Sequence, residues 1–192
     1  MTYIDFERTL SYHCAPVLMG IKPSNLVSFA KNQMTNASAL MHVYGRKLEV
    51  DGICMEIICE CTKRYMVFIY RPNLLREVLS RPEVRSFLVQ AGYSPQANLK
   101  EDLARLRSRY VTGKNFPHEI GVFLGYPLED VEGFSKYHGC DYKLSGYWKV
   151  YGDEVKAAEM FRRMDRCRAF ACDKMQEGYD LCQILAMKHL CA

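Results

Sequence analysis

His118 and Glu119 stand side by side just after Pro117, an imidazole next to a carboxylate. Proline at a first helical position opens residues 117–124 as a short helix. Both side chains then fall at its first turn, where free N–H groups favour anions. The pair suits a general base or a metal ligand set. It is not the His-Glu-x-x-His zinc helix, because position 122 is Val. The plainer account makes Glu119 a favourable first-turn acid and gives His118 a loop carbonyl to bond. His13 and Cys14 are a second pair, just before Pro16. A thiol reacts as its thiolate, so a neighbouring imidazolium matters, whereas a packed cysteine is inert. Together, His13, Cys14, His118 and Glu119 are a candidate ligand or transition-metal site if the fold brings them together.

A third candidate is the segment 146–152. It holds the only tryptophan, Trp148, with Tyr147 and Tyr151 on either side, Lys149 between them and glycine at both ends. Tyr147, Trp148, Lys149 and Tyr151 could stack a flat ligand such as a flavin, haem or base. Equally, large aromatics bury enough surface to serve as a packing anchor for the long helix that follows. The nine cysteines have irregular spacing. Cys54, Cys59 and Cys61 fall in one strand, with the Cys-x-Cys pair on one face if that strand is regular. Cys167 and Cys172 are five apart on a helix, and Cys182 and Cys191 follow, so no zinc or iron–sulfur spacing is present. Two basic clusters, Lys100, Arg105, Arg107, Arg109 and Lys114, and then Arg162, Arg163, Arg166 and Arg168, are diluted by Glu101, Asp102, Glu159 and Asp165. They read as solvated faces first and as docking faces for an acidic partner second. There is no Gly-rich phosphate loop, dinucleotide fingerprint or serine nucleophile elbow, which argues against an ordinary nucleotide enzyme or serine hydrolase.

The elements that must position these residues divide into a β-containing first half and a helical second half. Residues 3–12 form a short helix, and 13–23, with Pro16, Gly20 and Pro23, read as a turn-rich connection. Residues 25–30 form a strand, and Asn36 caps a helix over 37–48. The strongest signal is an antiparallel hairpin over 53–70: period-two alternation over 53–61, the polar Thr62-Lys63-Arg64, then the dense apolar run 65–70. Helices follow at 74–80, 82–91, behind Ser94-Pro95, at 117–124, 129–137, 154–177 and 180–190. The expected fold is α+β, a small mostly antiparallel sheet covered by a helical C-terminal half, in one domain over 1–192.

Composition sets the remaining bounds. The 192 residues carry a formal net charge of +4, too mild an excess to mark a nucleic-acid protein. The N-terminal residues carry Asp5 and Glu7 and no apolar core of a secretory signal, and no run approaches the ~20 apolar residues of a membrane span. A cytoplasmic protein with reduced thiols is expected, with no membrane partner.

Three passages resemble one family. They are His13-Cys14-Ala15-Pro16 with Gly20-Ile21-Lys22-Pro23 and Asn25-Leu26; residues 116–127 (Phe-Pro-His-Glu-Ile-Gly-Val-Phe-Leu-Gly-Tyr-Pro); and Gly146-Tyr147-Trp148-Lys149-Val150-Tyr151-Gly152-Asp153. In order and spacing they are similar to the bacterial domain-of-unknown-function family numbered 3793. The chain departs from it at 141–145, where relatives often carry a further cysteine. The resemblance implies a cytoplasmic protein of mainly anaerobic Gram-positive bacteria, near flavodoxin and iron-uptake genes, and implies no activity or cofactor. Taken with the His13-Cys14 and His118-Glu119 pairs and the aromatic segment 146–152, that context makes the expected function a ligand- or metal-binding accessory protein of iron or redox metabolism. The alternatives are an interaction module whose basic helical face docks an acidic redox protein such as a flavodoxin, and nucleic-acid binding.

Overall fold

The structure is a computed structural model that describes residues 2–34, 36–112 and 116–191. The chain is α+β, with a three-stranded antiparallel sheet, a separate two-stranded one and a helical second half. Two compact units divide it: one holds the described residues through Pro72 and again from Arg163, the other is Asn73–Arg162. No helix of the described residues is long and apolar enough to cross a membrane.

The first unit opens with α1 (Tyr3–Leu18), started by a reciprocal capping box between Thr2 and Asp5. The sequence predicts that this helix stops near Tyr12, before Pro16. It continues instead, with Pro16 inside it. Proline leaves the carbonyl four residues earlier, Tyr12 O, without its helical donor. Arg168 Nε donates to that oxygen at 3.2 Å, and its guanidinium lies 4.8 Å from the Tyr12 ring centroid. Asn25 Nδ2 donates to the next carbonyl, His13 O, at 2.7 Å. Side chains from elsewhere in this unit thus supply what the proline removes. His13 and Cys14 therefore sit on a helix rather than in a loop.

β1 (Ser24–Ala30), α2 (Ala37–Glu49), β2 (Cys54–Glu60) and β3 (Arg64–Tyr70) follow. β3 is central, with the order β1-β3-β2, so the expected hairpin gains β1 on its other edge. The register of β2 shifts between Ile57 and Cys59, a bulge that leaves Ile58 as the buried residue of the strand. The regular alternation expected over 53–61 breaks there. Cys59 is half-buried, and Cys61 is exposed beyond the strand end. The core of this unit gathers Phe6, Leu10, Val17, Phe29, Tyr44, Leu48, Val67 and Ile69. Within it Glu7 is buried and accepts from Tyr44 Oη at 2.8 Å and Leu181 N at 3.3 Å.

Arg71 closes the far end of α1. Its guanidinium donates to Val17 O at 2.6 Å, Leu18 O at 2.5 Å and Asp51 O at 2.9 Å. The two α1 carbonyls belong to the last turn, which has no intrahelical donors. Arg71→Ala is expected to lower the unfolding free energy by about 2–3 kcal/mol in urea titration, the worth of charge-assisted hydrogen bonds that no single water network replaces. Arg71→Lys should recover less than half, because one ammonium cannot span three carbonyls in the guanidinium's fork.

The second unit is built from α3 (Pro72–Ser80), α4 (Pro82–Gln90), α5 (Leu99–Thr112), α6 (Ile120–Phe123), α7 (Leu128–Tyr137), the two-residue strands β4 (Leu144–Ser145) and β5 (Lys149–Val150), and the first turns of α8 (Glu154–Gln176). Leu75, Leu79, Val84, Leu88, Leu103 and Leu106 are its buried helical stripes. A bidentate Arg85–Asp102 pair, at 2.9 and 2.7 Å, joins α4 to α5. After Gly178, α9 (Leu181–Ala186) and a 3₁₀ turn (Lys188–Cys191) return to the first unit.

Candidate functional site

Two of the sequence passages, 116–127 and 146–153, meet with α7 in the second unit around one pocket. Its volume is about 400 Å³. Ile120, Gly121, Val131 and Trp148 supply buried walls, and Phe116, His118 and Phe134 stand exposed at the mouth. Lys149 and Ser145 of the β4–β5 pair complete the rim.

Asp130 holds this arrangement. It lies in the first turn of α7, where an acid is favoured by the free N–H groups. Its side chain is buried and points back to the β4–β5 segment. Oδ2 accepts from Trp148 Nε1 at 2.7 Å, and Oδ1 accepts from the backbone N–H groups of Tyr151 and Gly152 at 2.7 and 2.8 Å. One carboxylate therefore satisfies an indole and two backbone donors, and fixes Trp148 against α7. Trp148 stacks on Tyr126 with ring centroids 4.9 Å apart and meets Phe161 of α8 edge-on at 4.6 Å. Burial pushes the Tyr126 phenol up to about 12. Gly146 is where the chain crosses that Phe161 ring. A Cβ there would lie 3.0 Å from Cζ, with two ring carbons nearer still. The glycine that marks the segment in the sequence is required by this close approach.

The four residues of the aromatic segment divide in two. Trp148 and Lys149 line the pocket. Tyr147 packs on Phe161 at 5.6 Å, and Tyr151 lies flat on α7, stacked on Tyr137 at 5.7 Å. Lys149 Nζ donates to Gly139 O and sits 4.7 Å from the Tyr142 ring centroid. Packing anchor and pocket wall are thus both made by this one segment.

His118 and Glu119 also part company. His118 is exposed, its ring between Phe116 and Phe134 at centroid distances of 6.0 and 5.5 Å. Glu119 is buried on another side, where it accepts from Arg109 and, at 3.2 Å, from Tyr93 Oη. Burial and then the Glu119 charge push the Tyr93 phenol well above its usual range. A carboxylate committed to an ion pair and a phenol is a strut, so the expected imidazole–carboxylate pair is not formed at the pocket. The helix there is shorter than expected, with Glu119 as its N-cap residue and no side-chain cap.

His13 and Cys14 belong to the first unit. His13 is exposed, and partial burial, then the Arg168 charge, lower its imidazole. Cys14 is fully buried, and desolvation pushes its thiol up to about 12. A thiol so held is not a thiolate at neutral pH, and at full burial no reagent from solvent reaches it. Among the described residues no group of three or more His, Cys, Asp or Glu is arranged to hold a metal ion.

Sequence reasoning passed over Lys22, whose side chain is buried beside Cys14. Its Nζ donates to Asn25 Oδ1 at 2.9 Å, and Asn25 Nδ2 lies 3.9 Å from Cys14 Sγ. Burial lowers the Lys22 ammonium to about 8. The unfolded chain then binds more protons at this position than the folded one between about pH 8 and 10.5, so its cost to stability is relieved as pH rises through that window. Cys14 opposes this above about pH 9, because the unfolded thiol ionises first. Wild-type stability relative to Lys22→Met is expected to rise by about 1 kcal/mol from pH 7 to pH 9 in urea unfolding. A flat difference would show that the ammonium is solvated.

Of the basic clusters, Arg109 is committed to Glu119 and Arg168 to Tyr12. Lys100, Arg105, Arg107, Arg162, Arg163 and Arg166 are exposed, and Lys114 lies outside the described residues. A second concavity, about 320 Å³, lies by Arg76, Glu77, Arg85 and Asp102, and its Arg85–Asp102 charges are already paired.

Fold and site together define an α+β protein with a small-molecule-sized pocket walled by aromatic side chains. The chain belongs to the family described as Protein of unknown function (DUF3793), whose model matches residues 10–185. No curated protein and no solved structure matches it.

Proposed function

We propose that the second unit binds a small, flat, largely apolar ring system carrying an acidic group, and that the protein works as a ligand-binding accessory in iron or redox metabolism of the bacterial cytoplasm. The observation that supports this reading is the convergence of residues 116–131 and 145–149 on one aromatic pocket. Its volume of about 400 Å³ lies in the range of small-molecule sites, toward the lower end. The walls are apolar and aromatic, and the rim carries two basic side chains, His118 and Lys149, which favour an anionic substituent. The redox and cytoplasmic parts rest on the family resemblance alone.

Trp148 is the only tryptophan, so intrinsic fluorescence reports on this pocket directly. Flavin mononucleotide, riboflavin, haem and aromatic carboxylates are the probes to titrate. Saturable quenching is expected for at least one anionic member, weakened about tenfold by the double substitution His118→Ala with Lys149→Ala. If none of the panel changes the fluorescence or the thermal midpoint, the pocket is a packing defect and the reading fails.

A further inference from the structure

We propose that Cys167 and Cys191 form a reversible disulfide on exposure to peroxide, an oxidation site independent of the aromatic pocket. All nine cysteines are free thiols, and Cys191 Sγ donates to Cys167 Sγ at 3.5 Å. A disulfide needs the sulfurs at about 2.05 Å, so each has less than an ångström to travel.

The two partners are unequal in a way that orders the chemistry. Cys167 is buried on α8 in a small cluster with Ala15, Ala171 and Ile184. Desolvation, then the hydrogen bond with Cys191, holds its thiol well above the usual range. Cys191 is half-buried on a one-turn 3₁₀ segment that packs against the same cluster. A short segment can adjust without disturbing a long helix. Solvent reaches Cys191, so oxidation begins there. The Cys191 thiol gives up its proton, its thiolate attacks hydrogen peroxide and breaks the O–O bond, and the released hydroxide takes up that proton, giving Cys191 sulfenic acid and one water. Cys167 sulfur then displaces the sulfenic oxygen, its proton leaving with that oxygen as a second water. Two thiols and one peroxide become one disulfide and two waters. The bridge ties α9 and the 3₁₀ turn to α8 across 24 residues of sequence. Closing a loop of that size removes freedom chiefly from the unfolded chain.

The experiment is a peroxide titration of the fully reduced wild-type protein, followed by non-reducing peptide mapping. A Cys167–Cys191 cross-linked peptide, a mass loss of about two units and reversal by dithiothreitol are expected. The oxidised protein should melt about 5–10 °C higher than the reduced one. Cys191→Ser, a mild change on a partly exposed turn, should abolish the cross-link and leave Cys167 reduced. The exposed thiols Cys61 and Cys140 are internal controls. Full oxidation of both with no Cys167–Cys191 peptide, or cross-links only elsewhere, would overturn the proposal. Neither result depends on whether the pocket binds a ligand.

Discussion

Asp130→Ala is expected to lower the unfolding free energy by about 4 kcal/mol and to loosen Trp148 from its place in the pocket wall. The substitution leaves three donors without an acceptor: the buried indole N–H of Trp148 and the backbone N–H groups of Tyr151 and Gly152. An unsatisfied buried donor costs about 1–3 kcal/mol, and the two backbone groups, being less buried, recover part of that from water. Asp130→Asn separates the contributions. Its remaining carbonyl oxygen can serve the two backbone donors or the indole, but not both, and its amide N–H₂ then faces a donor. About 2 kcal/mol of loss is expected from that conflict. Removing the indole donor by Trp148→Phe should cost less in the Asp130→Asn background than in the wild type, a coupling that a double-mutant cycle reads. Urea unfolding followed by far-UV circular dichroism serves all five proteins. An Asp130→Ala protein within 1 kcal/mol of wild type would sink the view that this carboxylate holds the pocket together.

The contrast between what was legible in the sequence and what was not follows the range of the forces involved. The hairpin over 53–70 was readable because alternation and β-propensity are local, and β2 and β3 lie within a residue or so of the expected bounds. α7 and α8 begin and end close to the expected positions for the same reason. The passage of α1 through Pro16 was not readable, because the donors that make it tolerable, Asn25 and Arg168, come from distant sequence. Glu119 looked like a partner for His118 since neighbours in sequence invite pairing. Its real partners, Arg109 and Tyr93, are ten and 26 residues away. Asp130 carried one faint signal, an acid in the first turn after Pro127, which is common at helix starts and gives no hint of a distant indole. The aromatic segment stood out in the sequence as a packing anchor or a surface for a flat ligand; in the structure Trp148 packs on Phe161 and also lines the pocket. What sequence could not supply was the identity of the opposing wall.

Gly133→Ala is the substitution whose sign best tests that wall. Gly133 lies inside α7, and alanine in place of glycine at a helix interior normally stabilises by about 1 kcal/mol. Here the opposite is expected, a loss of about 2 kcal/mol. A Cβ on Gly133 would lie 2.6 Å from Tyr151 Cβ and 2.8 Å from Cδ2, well inside contact distance. Tyr151 has little room to retreat. Its own N–H is held by Asp130 at 2.7 Å, and its ring is stacked on Tyr137 with 14° between planes. Overpacking against such a fixed neighbour costs about 1–3 kcal/mol or more, enough to outweigh the helix propensity. In a Tyr151→Gly background every one of those obstructing side-chain atoms is gone, so Gly133→Ala should move toward neutral or stabilising there. Thermal unfolding of the four proteins measures both the sign in the wild type and its reversal. Stabilisation by Gly133→Ala alone would mean that Tyr151 does not lie on the helix, and the segment carrying Trp148 would then be free to leave the pocket it walls.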